Sequence, residues 1–147
     1  MDLLRLTEHV HGHLGWLAAA LLVHPAIVLR NRTRRAHLAV ALSAGAVTIA
    51  SAIGAWIYVA YRDQLRQAIF VSSPAIGLLM ERKEHLAFAA LVLAWAGTAA
   101  YFGAPRAKDD AMRTTLRTIA FRSFACAAAL AIVVAALGTA VAVHKSF

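Results

Sequence analysis

Four long apolar runs, each fenced by charge, constrain this chain most: roughly His13 to Leu29, Ala36 to Tyr61, His85 to Phe102 and Ile119 to His144. A helix needs about 20 predominantly apolar residues to cross a bilayer, within a range of roughly 17–25. Inside hydrocarbon every backbone N–H and C=O must find its partner within the protein, and for single segments of this length that means an α-helix. The expected fold is therefore all-α, an integral membrane four-helix bundle forming a single membrane domain over residues 1–147, with spans near 13–29, 36–61, 85–102 and 119–144. The apolar fraction of 61% is above the roughly 45–50% usual for soluble domains. Four spans use most of the 147 residues, so no separate soluble domain is expected.

The chain carries 15 Lys and Arg against 7 Asp and Glu, a net charge of +8. In a soluble domain that excess would suggest nucleic acid. Here the basic residues fall between the apolar runs, where they meet anionic lipid head groups, so the partner expected is the lipid bilayer and no nucleic acid. With the amino-terminal face named side A, side B carries Arg30, Arg32, Arg34, Arg35, Arg106, Lys108, Arg113, Arg117 and Arg122. Side A carries Arg5, Arg62, Arg66, Arg82, Lys83 and Lys145. The positive-inside rule then makes side B cytoplasmic. The expected location is a cell inner membrane, multi-pass, with both termini periplasmic. Acidic Asp2 and Glu8 precede the first run where a signal peptide would be basic, so that run reads as a retained helix. Trp16, and Trp56, Tyr58 and Tyr61, mark span ends as interfacial aromatics do.

Within the first run, Pro25 lacks a backbone N–H and frees the carbonyl near Leu21. The second run is rich in small residues, among them Ser43, Ala44, Gly45, Thr48 and Gly54, which permit close helix contact. The basic segment Arg30 to Arg35 predicts a tight hairpin. Residues 62–84 form the longest side-A connection, with a short amphipathic helix expected over 63–70, a break at Ser72-Ser73-Pro74, and a second short helix from Ala75 towards Glu84. An ordinary ordered loop is the alternative there. Gly103-Ala104-Pro105 signals the end of the third helix. The single cysteine, Cys126, reads as a small apolar side chain.

Seven histidines lie in or beside the spans. Imidazole in a bilayer calls for a partner side chain, a proton path or a metal. His9, His11, His13, His85 and His144 gather near side A; His24 and His37 lie towards side B. His13 and His24 are eleven residues apart, which returns to nearly the same helix face about 16 Å further on. At side A, His13, His85 and His144 offer axial haem ligands from three helices at similar depth; at side B, His24 and His37 do so. Alternate His9, His11 and His13 are candidate ligands for copper or zinc. The competing reading is interfacial imidazoles bonded to water and lipid, and for His24 a hydrogen bond to a neighbouring helix. Glu81 and His85 share a face at i, i+4, which would let the carboxylate orient the ring. No Cys-x-x-Cys-His, phosphate loop, nucleophile elbow or zincin motif is present.

Four short helices with histidines near span ends resemble small b-type cytochromes of membranes, both the cytochrome b561-like type and the membrane-anchor cytochrome subunits of respiratory oxidoreductases. The resemblance covers all four spans as a layout. It implies heme b and electron transfer linking quinone and a redox partner, with His13 and His85 as side-A ligands, His144 as their substitute, and His24 with His37 at side B. Two alternatives stand beside it. One is a non-catalytic accessory subunit docked on other membrane subunits or in a homo-oligomer. The other is a metal-handling protein using His9, His11 and His13.

Overall fold

A computed structural model describes residues 3–31 and 35–144, and helices account for nearly all of them. In chain order these are α1 (Leu3–Val28), α2 (His37–Gln64), the short α3 (Arg66–Ser72), α4 (Pro74–Gly103), a single 3-10 turn (Ala104–Arg106) and α5 (Asp110–His144). Four of them, over residues 3–28, 37–64, 74–106 and 110–143, are long and apolar enough to cross a membrane. Three start well before the apolar runs that announced them, at residues 3, 74 and 110 against expected starts of 13, 85 and 119. An apolar run marks where a helix meets lipid; the helix itself continues until its backbone is capped or broken. At α5 that end is a cap: the Asp109 carboxylate accepts the Met112 N–H at 2.7 Å, filling one of the orphan donors of a helix start. At α4, Arg106 donates to the Phe102 carbonyl at 2.7 Å, just past the expected stop. Residues 32–34 of the basic hairpin lie outside the described residues.

The side-A connection differs from its expectation in one respect. The first short helix exists as α3, but the second is the opening of α4, which runs unbroken from Pro74. The break is the single extended residue Ser73 (φ −158°, ψ 97°), followed by Pro74 at the first helical position, a site proline favours because its missing N–H is not needed there. Two contacts fold α3 onto α4. Arg66 donates twice to one Glu81 oxygen, at 3.0 and 2.7 Å. The Phe70 ring fills the place of a side chain at Gly77, where a Cβ would sit 2.6 Å from the ring.

The four spans form a ring in which α1 packs against α2 and α5, and α4 packs against α5 and α2; α1 and α4 stand on one diagonal. The α4–α5 seam is the most extensive. Its core includes Ala94, Ala120, Phe124 and Ala127, all buried, with Gly97 receiving the edge of Phe124. Lipid gives helices no hydrophobic reason to associate, so close backbone approach through small residues carries the packing.

Pro25 is buried inside α1. Its missing N–H leaves the Leu21 carbonyl without a partner in its own helix. Ser43 of α2 supplies one, its Oγ lying 2.7 Å from the Leu21 oxygen and also 2.7 Å from the Ala39 oxygen. With a single hydroxyl proton, Ser43 divides it between these two acceptors. Ser43→Ala is expected to cost about 1–2 kcal/mol of stability. In a Pro25→Ala background, where residue 25 again donates to Leu21, the same change costs clearly less. Reversible unfolding in mixed micelles measures both, and equal losses in the two backgrounds would exclude this role for Ser43.

Candidate functional site

The histidines fall into two structural groups, outward-facing and inward-facing. His9, His13, His24, His37 and His85 are exposed. His13 and His85 hold their rings in the same way. The His13 Nδ1 lies 2.8 Å from the His9 carbonyl oxygen, and the His85 Nδ1 lies 2.8 Å from the Glu81 carbonyl oxygen. A carbonyl only accepts, so each Nδ1 carries the hydrogen and each neutral ring leaves the Nε2 lone pair free. The orienting group at His85 is thus the Glu81 backbone and not its carboxylate, which is turned to Arg66 and raises the pKa of that guanidinium above its ordinary value. His13 and His85 stand on the diagonal pair α1 and α4 and face away from the bundle, so the structure does not bring them together. His37 packs at side B against Tyr101 and Phe102, with ring centroids 5.3 and 5.8 Å away. Tyr101 also accepts the Ala36 N–H at 2.7 Å, serving the buried start of α2. His24 lies beside Pro25 on the outer face of α1. His144 ends α5, and its side chain lies outside the described residues.

The His9, His11, His13 segment is a continuous turn of α1. Successive steps of about 100° place His9 and His13 on one side and His11 on the other. Among the described residues no group of three or more His, Cys, Asp or Glu side chains lies close enough to hold a metal ion.

His11 turns inward instead. Its ring occupies the space above Gly54 of α2, where a Cβ would meet the ring at 2.8 Å. Lys83 of α4 is buried at 8% exposure. The Lys83 ammonium stands 3.7 Å from a Glu84 carboxylate oxygen, and its side chain runs along α5 at Gly138, where a Cβ would sit 3.7 Å from the Lys83 Cδ. Tyr61, close to the end of α2, is buried at 3% exposure. Lys83 was counted above only as a flanking charge, and Tyr61 only as a belt aromatic. The one sequence signal for Lys83 is its position two residues before a span start.

The fold defines the class: a multi-pass membrane protein, four apolar helices packed as a bundle and in contact with lipid. The chain matches no known protein family, no curated protein and no solved structure.

Proposed function

We propose that this chain is a membrane-embedded electron-transfer subunit that carries b-type haem at its lipid-facing surface, against a second membrane subunit or a second copy. The observation that carries the reading is the state of His13 and His85: both rings are held by a helix carbonyl at Nδ1 and present an unoccupied Nε2 outward. That is how a protein fixes the tautomer and aim of an axial imidazole. The core between α1 and α4 does not suit a flat macrocycle, because small residues and Phe124 fill the bundle and no described histidine but His11 faces inward. His13 and His85 would therefore each take an opposing ligand from a partner. His24 on α1 and His37 against α4 would likewise each need an opposing ligand from a partner to hold haem at side B, and His144 would substitute at side A. When bound, haem supplies a one-electron couple, with quinone or a periplasmic redox protein as the exchange partner. The chain's own contribution is to orient the two rings.

The purified, dithionite-reduced protein is expected to show the split α band of b haem, and His13→Ala and His85→Ala each to lower haem content to well under half. No α band, or full haem retention in both variants, would refute the reading. A second reading, an accessory subunit without haem, is favoured by the outer face of α1, where exposed Leu17 and Ile27 alternate with His13 and His24. Polar residues seldom face lipid uncovered, so a partner helix would cover them; a haem-free complex that purifies intact is its signature.

A further inference from the structure

Among the described residues, two buried side-chain polar atoms have no hydrogen-bond partner: the His11 Nδ1 and the Tyr61 hydroxyl. They flank the one buried lysine. Lys83 lies within electrostatic reach of His11, and Glu84 within reach of Tyr61. Tyr61 is seven residues, or about 10 Å of helix rise, nearer the side-A end of α2 than Gly54, on which His11 rests. The four groups thus come from α1, α2 and α4. Tyr58 of α2, Arg66 of α3, and Glu81 and His85 of α4 are the other charged or titratable groups near them; α5 contributes Gly138, which has no side chain to compete for the space.

Unpaired polar atoms at such burial are rare, because each forfeits its hydrogen bonds to water. The usual solution is an ordered internal water, which needs a polar site and two to four partners. The donors and acceptors here match that need. The His11 Nδ1 can donate or accept according to the ring's tautomer. Tyr61 can donate or accept, Lys83 has spare N–H donors, and Glu84 has spare lone pairs.

We propose that His11, Tyr61, Lys83 and Glu84 form a hydration site, binding ordered water inside the side-A end of the bundle beneath α3. The water links the buried ion pair to both unpaired atoms, so a charge survives at membrane depth without lipid contact. The site is independent of haem.

Hydroxyl-radical footprinting by pulsed X-ray radiolysis of the protein in nanodiscs reads it directly, since water bound beside a buried residue labels that residue. Tyr61 and His11 are expected to be labelled roughly tenfold or more above Phe124, a fully buried aromatic with no polar neighbour that calls for water. In a Lys83→Met/Glu84→Leu variant, Tyr61 labelling is expected to fall to the Phe124 level while exposed Trp16 and Trp56 keep theirs. Tyr61 labelling no faster than that of Phe124 in the wild-type protein would overturn the proposal. So would unchanged Tyr61 labelling in the double variant.

Discussion

Glu84→Ala is expected to lower the unfolding free energy by about 3 kcal/mol, among the largest losses from any single side chain here. The charge left behind is the reason. Lys83 exposes only 11% of its side chain, and the Glu84 carboxylate 3.7 Å away is its ion-pair partner. Removing one member of a buried pair strands the other, and the penalty is the desolvation of an uncompensated ion. Glu84 is itself 28% exposed, which places the loss at the lower end for buried pairs. Replacing both residues removes the stranded charge. Lys83→Met/Glu84→Leu is therefore expected to lose clearly less than Glu84→Ala, despite carrying two changes, its remaining cost being the lost hydration of Tyr61 and His11. Steric trapping or reversible detergent unfolding measures the cycle. A double variant that loses as much as Glu84→Ala, or more, would show that the two charges do not depend on each other.

Lys83 also shows where the sequence stops being readable. The four spans could be found because their signal is local and redundant: some twenty apolar residues in a row allow one structure in lipid. The freed Leu21 carbonyl was legible too, since proline at position 25 removes a donor whatever surrounds it. Its partner, Ser43, was not, because that pairing depends on the register of α1 against α2. The same limit applies to the histidines. Spacing separates His9 and His13 from His11 once the segment is helical, but helix boundaries set by hydropathy began α1 at residue 13 and left His9 and His11 in an irregular approach. With α1 beginning at Leu3, the periodicity alone puts His11 on the inner face. Lys83 and Glu84 looked like interfacial charges because α4 was expected to start at His85. An α4 that begins at Pro74 carries them between helices, where charge counting assigns no role.

Gly97→Ala is expected to cost about 2 kcal/mol, although it adds a single methyl group and alanine is the better helix former. A Cβ at position 97 would lie 2.9 and 3.0 Å from two ring carbons of Phe124, and 3.2 Å from the Cβ of Ser123. Phe124 has no exposed surface and so no free volume into which to turn, and α4 and α5 must separate along their largest seam. Phe124→Ala is expected to cost about 2–3 kcal/mol. In water a buried Phe→Ala change costs about 3–5 kcal/mol, as a transfer term plus a cavity term. The unfolded helices of a membrane protein remain in lipid, so most of the transfer term is absent and the cavity term remains. The two changes occupy the same space with opposite sign. In the Phe124→Ala background the methyl group at position 97 enters the cavity, and Gly97→Ala should then cost close to nothing, a coupling of about 2 kcal/mol. Additive losses in the double variant would mean that the helices already yield at this contact, and that close packing of α4 on α5 does not hold the bundle together.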